Sequence, residues 1–505
     1  MRPKILNGVA PHPFTPWLLL VLGLLVPAAG CPRSESGSGK KEFPPDAKVR
    51  LLVVGDPALA TAIEQLRGQW TAQYGTSFQV EQVAHLDPQA AEPPEADAII
   101  SASCDVAVLA ERKWIVPMPG ELIGQKASYG TARPEDAESR KGRGDWSDVF
   151  SLLRSREAVW GKEVVGVPFG SPVLVCYYRA ELLDKLGAEA PRTWAEYQKL
   201  AQRLADRKQL GDAAGPEGRP WHGSLEPLGP GWAGIVLLAR AAPYATHRAN
   251  FSKLFSIETM EPLVDGPPFV QALEELVAAA RSGPPQQLTW DPTAVRRAFW
   301  RGECGLALSW PSAADKDCVQ AGSGLRVGFA ELPGSARVYN VSGKSWELRG
   351  EGEETQVPLL SVAGRMGTVT SRSQWPELSF RVLLWLSDKQ WNRQTSVASP
   401  ATTLFRETDV PDPQAWVEGP VPSGAAADYA KLAKQTLNRR QCLFALRIPG
   451  RAEYLKALDE AVHQAVRGEK PAREALAQAA SRWREITKRL GVEEQRAAYR
   501  CSEGL

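Results

Sequence analysis

Histidine is scarce in this chain: its 505 residues hold five, and those beyond the first thirty, His85, His222, His247 and His463, lie far apart. So thin a supply of imidazole argues against a transition-metal site, and no HExxH pair is present. None of the seven cysteines forms a CxxC pair, which leaves a zinc ribbon or a thioredoxin-like site without support. A GxSxG nucleophile elbow is missing, and so is a GxxxxGK phosphate loop ending in Ser or Thr, so neither a common hydrolase nucleophile nor an ATP site is offered. An excess of one charge sign is lacking too. The formal net charge of +2 includes Arg2 and Lys4, and setting aside residues 1–30 brings it to zero, whereas nucleic-acid binding asks for a basic face. Past the N-terminus no run is long and apolar enough to span a bilayer.

What is present suits a soluble globular protein, with 43% apolar and 23% charged residues. The length exceeds what one hydrophobic core ordinarily serves, so two or more lobes are expected. The opening "MRPKILNGVAPHPFTPWLLLVLGLLVPAAGC" has two cations, no acid, an apolar stretch from Trp17 to Val26 and then Ala28, Ala29 and Gly30. That stretch falls well short of the ~20 residues a spanning helix needs, and residues 1–30 read as a secretory signal. Cys31, directly after the small residues, resembles the lipobox of bacterial lipoproteins, which implies a lipidated first residue of the mature chain and a membrane anchor. Ala28 stands where that pattern usually has leucine, so a plain signal peptide cut nearby is the other reading. Residues 31–45, rich in Ser, Gly, Pro and Lys, read as a flexible tether. Six further cysteines, an even number, permit disulfides in an exported chain. Cys304 with Cys318 is the favoured pair, since a strand and its return could bring them together; several free buried thiols are the alternative.

From residue 48 the pattern alternates. KVRLLVVG reads as a buried strand, followed by Leu59, Ile63, Leu66 and Trp70 at helical spacing. FQVEQV reads as a second strand, ADAIIS as a helix or strand remnant, and DVAVLA as a third strand. Such a β-α-β-α series predicts a parallel sheet covered by helices, with ligand sites at the carboxyl ends of the strands. Further on, Thr193 with Glu196 spells a capping box ahead of Trp194, Tyr197, Leu200 and Leu204. GRAEYLKALDEAVHQAVRG and PAREALAQAASRWREITKRL read as long amphipathic helices, the second starting at Pro471. The stretch "GECGLALSWPSAAD" poses a question: a short apolar run ends on Trp310 and then on a proline. The bland answer is that Trp310 plugs the core, and the sharper one that it floors a pocket.

The order of "VVGDPALATAIEQLRGQW", "DVAVLAERKWIVPM", "GKEVVGVPFGSPVLVCYYRAELLDKLGAEAPRTWAEYQKLAQRL", "AFWRGECGLALSWPSA", "VGFAELPGS" and the closing helices resembles one family. It is similar to the extracellular solute-binding proteins of ABC importers, in the sugar-binding group that includes maltose-binding protein, over roughly residues 46–490. The resemblance implies an α/β, two-lobed periplasmic-binding-protein fold with crossing hinge strands. Residues 46–172 and 364–400 would form one lobe, and 173–363 and 401–505 the other. The insertion SARVYNVSGKSWELRGEGEETQ and the strand beginning at Asp105 without its usual lead-in depart from the pattern. A sugar offers an apolar face and a ring of hydroxyls, so its site needs a flat aromatic wall and fixed polar groups. The resemblance places Trp310 at that wall and carries over Asp56, Glu111, Arg112, Ser171, Trp232, Arg365 and Tyr454 as further ligand-binding residues. Each has a plainer alternative, such as an N-cap for Asp56, a hinge salt bridge for Arg365 and helix packing for Tyr454. The implied partners are a small carbohydrate and the permease subunits of a transporter, with a lipid-anchored monomer, no cofactor, no metal and no nucleic acid. A carbohydrate-acting hydrolase and a sugar sensor without a transporter are the competing readings.

Overall fold

The computed structural model describes residues 43–44, 46–87, 90–124, 146–315, 325–419 and 421–505. The signal segment, Cys31, most of the tether and Cys318 lie outside them. Phe43–Leu505 forms one compact unit built around two principal sheets.

The first sheet starts with Lys48–Val54, whose Val and Leu residues are buried on both faces, as a central parallel strand requires. It pairs in parallel with Ser77–Val83 on one side and Ala98–Ala102 on the other. Arg365–Thr370 arrives from far along the chain and runs antiparallel to Ala98–Ala102, with Gly367 opposite Ile100. The same strand also pairs with Ile115–Val116 and Val167–Pro168. In the second sheet Cys304–Ser309, buried throughout, lies between Val175–Arg179 and His222–Leu225, and Val327–Glu331 completes the order on the far side of Val175–Arg179. Three connections run between the sheets. One joins Val167–Pro168 to Val175–Arg179. A second leads from Val327–Glu331 back to Arg365–Thr370. The third leads from the helix Pro376–Leu386, packed on the first sheet, to the helix Ser423–Leu437, packed on the second.

The capping box forms as spelled: Thr193 accepts from Glu196 N, and the Glu196 carboxylate accepts from Thr193 N. Elsewhere the structure corrects the sequence reading. DVAVLAE is not a strand; Val106–Glu111 is a helix following the strand Ala98–Ala102. A fully apolar run of this length fits a buried helix and a buried strand equally well, and periodicity cannot separate them. The Leu59 to Trp70 stretch is two helices, Pro57–Glu64 and Arg67–Tyr74. Pro471 caps the helix Ala472–Leu490 instead of opening it. Cys304 is fully buried and has no disulfide partner among the described residues; its expected partner Cys318 lies outside them. Part of the insertion folds into a hairpin of Arg337–Asn340 and Ser345–Leu348. The helices Arg451–Val466 and Ala472–Leu490 pack on each other; the first also packs on Ala233–Ala245 and both on Pro267–Ala280. The last helix, Val492–Glu503, reaches back to Val106–Glu111 and Val159–Trp160.

Candidate functional site

The crossing segments are held by buried polar groups. Gly170 (φ +106°) and Gly364 (φ +118°) adopt conformations open to glycine, and a Cβ on either would come within 2.6 Å of a neighbour, Thr403 O or Ser171 Oγ. Between them lies Glu157, fully buried. Its Oε1 accepts from Ser103 Oγ at 3.0 Å, Ser171 Oγ at 2.9 Å, and Ser361 N and Oγ at 3.0 and 2.9 Å. Oε2 has no hydrogen-bond partner. One carboxyl group thus gathers the residue that follows an inner strand of the first sheet and residues of two crossing segments. Burial pushes its pKa above the usual carboxylate range, against the serine hydrogen bonds and the Arg447 charge that favour ionisation. Ser171, an expected ligand residue, is itself buried and spends its hydroxyl on Glu157 or on Ala363 O at 3.0 Å.

Asp56 and Arg365 meet each other. Asp56 is buried and caps the helix Pro57–Glu64 through Leu59 N. Its Oδ2 takes Arg365 Nε at 2.8 Å and Ser399 Oγ at 2.5 Å. Arg365 also donates to Gly364 O and Gly55 O. The two residues therefore stitch the first strand's exit to the second and third crossings. This pairing is the hinge salt bridge and helix cap that the sequence offered as the plainer alternatives. Glu111 accepts from Trp160 Nε1 at 3.1 Å, and burial raises its pKa against that hydrogen bond. Arg112 lies over the Trp114 ring at 4.7 Å and donates to Ala90 O. Tyr454 is a clear correction. It is 0% exposed, bonds Thr487 Oγ1 at 2.8 Å and packs against Phe255 and Trp483. It has no face to lend a ligand.

At the carboxyl end of the strand Cys304–Ser309 the aromatic residues converge. Trp310 is 5% exposed, and its indole N–H donates to Pro400 O at 3.2 Å on the third crossing. Trp232, the half-buried N-cap residue of the helix Ala233–Ala245, sits 5.6 Å from it, ring to ring, tilted by 42°. Trp232 in turn borders a cavity of about 590 Å³, with Trp290, Thr289, Thr293, Arg297 and Arg301 among its other walls. So Trp232, more than Trp310, is the ring next to open space.

Beneath the pair, the sequence analysis missed Arg296. It is 1% exposed, donates to Trp310 O at 2.7 Å and Ser309 Oγ at 3.3 Å, and pairs with Asp315 at 2.6 Å. The fully buried Glu418 stands 3.2 Å from its Nε and accepts from Tyr177 Oη. A signal existed: in PTAVRRAFW, helical spacing puts the first arginine of the RR pair on the same face as Pro292 and Phe299, both buried.

Two α/β sheets joined by three crossings, with polar groups clamping those crossings and an aromatic-edged cavity at a strand end, define a two-lobed periplasmic-binding-protein fold. The model of the bacterial extracellular solute-binding protein family matches residues 45–330, and the chain belongs to that family. Among solved structures, the sugar-binding protein MalE of Xanthomonas citri is 18% identical, with a TM-score of 0.60 over 89% of this chain and 100% of that one. An ABC transporter solute-binding protein of Agrobacterium radiobacter K84 in complex with ribitol is 16% identical, with a TM-score of 0.59 over 88% and 100%. Maltose-bound MalE3 of T. maritima gives 16% identity and a TM-score of 0.56 over 87% and 99%.

Proposed function

We propose that this protein captures a sugar or oligosaccharide between its lobes and delivers it to the membrane permease of an ABC importer, acting as a monomer tethered by a lipid on Cys31. The observation that carries the reading is the Trp232–Trp310 pair at the carboxyl end of Cys304–Ser309, where an α/β fold binds ligand; the cavity that Trp232 borders is walled by residues of the second lobe. Family membership and fold neighbours that hold maltose or polyols support it. Ligand touching both lobes favours the closed state by the contacts made only there. Trp232 supplies the apolar wall and Trp310 backs it. Asp56, Arg365, Ser171 and Glu157 set the hinge.

A thermal-shift panel of mono- and oligosaccharides on residues 32–505 tests this, since ligand at ~100 times its Kd adds about 2.7 kcal/mol. Stabilisation by at least one sugar is the expected outcome, and a flat response to all of them overturns the reading. Trp232→Ala should weaken binding about tenfold or more while leaving the melting temperature nearly unchanged. Trp310→Ala, by contrast, should cost about 3–5 kcal/mol of stability as a core truncation. Anchoring has its own check: Cys31→Ser should abolish incorporation of radiolabelled palmitate and release the protein from the membrane pellet. Label retained on the variant overturns lipidation at that residue.

A further inference from the structure

We infer that the cavity beside Trp232 takes an acidic saccharide, its anionic group set on Arg297 and Arg301; this rests on the sugar-binding reading above. The volume, about 590 Å³, lies within the range of small-ligand pockets. Two half-buried indoles, Trp232 and Trp290, edge it and offer flat apolar surface to a sugar ring.

The lining itself carries two cations and one acid, and a carboxylate just outside it meets each cation. Arg297 and Arg301 are four residues apart at the end of the helix Pro292–Trp300, so their side chains rise from one face. Both are half-exposed, 51% and 53%. Arg297 meets Asp315 through Nη2 at 3.3 Å, and Arg301 meets Glu303 through Nε at 2.6 Å and Nη2 at 3.0 Å. Among the described lining residues the one acid is Asp291, and its Oδ1 is spent on Ala294 N at 2.7 Å as the helix cap.

A neutral sugar presents hydroxyls that donate as well as accept, so a site for it needs acceptors to match. This rim is rich in donors that cannot accept. The ligand that answers it is one with surplus acceptors, and a carboxylate or sulfate on a pyranose meets a guanidinium edge with charge-assisted bonds. A carboxylate sugar is the choice argued here, because its planar two-oxygen group matches that edge.

Titration calorimetry of the purified protein with digalacturonate, its neutral counterpart galactobiose and a sulfated disaccharide tests the inference. Digalacturonate is expected to bind about tenfold more tightly than galactobiose, the gain of a charge-assisted over a neutral hydrogen bond. The preference should shrink at high salt and vanish in Arg297→Gln/Arg301→Gln. The charge-keeping pair Arg297→Lys/Arg301→Lys should retain only part of it, since an ammonium lacks the planar edge, and an unchanged melting temperature certifies the fold of each variant. Preference for the sulfated sugar supports an anion site with sulfate in the role of carboxylate. Galactobiose binding as well as or better than digalacturonate overturns the inference while sparing the sugar-binding function, as does a preference that survives the double Gln variant. Binding of none of the three, together with a flat sugar panel, overturns both.

Discussion

Arg296→Met is expected to lower the free energy of unfolding by about 3–5 kcal/mol, the usual cost of removing one partner from a buried ion pair. The reason is what it leaves behind. Glu418 is fully buried and loses the guanidinium that compensates it, and Asp315, nearly as buried, is left to the half-exposed Arg297. The Trp310 carbonyl also loses its 2.7 Å donor, so the aromatic floor beneath Trp232 loosens and ligand affinity should fall with stability. Urea titration at constant m-value measures the first effect and calorimetry the second. Two controls make the test sharp. Arg297→Met, one residue along but half-exposed, should change stability by no more than about 0.5 kcal/mol. Arg296→Met combined with Glu418→Leu should recover part of the loss, since no carboxylate then faces Tyr177 and Trp300 unpaired. Equal losses at positions 296 and 297 would sink the account.

The second large effect is at Glu157. Glu157→Leu leaves Ser361 N without its acceptor and strips Ser103 and Ser171 of a shared one. Each buried donor left unsatisfied costs about 1–3 kcal/mol, so a loss of about 3 kcal/mol is expected, concentrated at the crossing segments. Its pH signature has a definite sign. Burial raises the folded-state pKa of Glu157 above its value in the unfolded chain. Its contribution is therefore fully present below the ordinary glutamate range and is lost as pH rises from there through the raised pKa, because the unfolded chain ionises first. Glu157→Gln, which cannot ionise, should show a flatter stability profile across that window. A variant with the same slope as the parent would remove Glu157 from the pH dependence.

How much of this was legible in the sequence follows physical lines. The strand Lys48–Val54, the cap at Thr193 and the closing helices were readable because local periodicity and capping chemistry fix them. Val106–Glu111 was misread because a short run buried on nearly every side has no period to detect. At the site, Trp232 and Trp310 do come together. Sequence alone could not tell which ring borders space, since that depends on where Pro400 falls after a long excursion of the chain. Asp56 was singled out as a carboxylate after the first strand and Arg365 as a residue of a crossing segment. Their mutual pairing across 309 positions was invisible to local reasoning, and it gives them a structural role. Tyr454 failed for the same reason: its companions Phe255 and Trp483 come from distant segments that close over it.

The placement of Arg365–Thr370 inside the first sheet has a consequence for biosynthesis. Until that segment leaves the ribosome, Ala98–Ala102 has an open flank, and Ile115–Val116 and Val167–Pro168 have no strand to join. The earlier half of the polypeptide is thereby kept from completing its own core, and pairing at such separation is slow. A nascent chain delayed in this way stays threadable, which is the condition a translocation channel demands of its cargo.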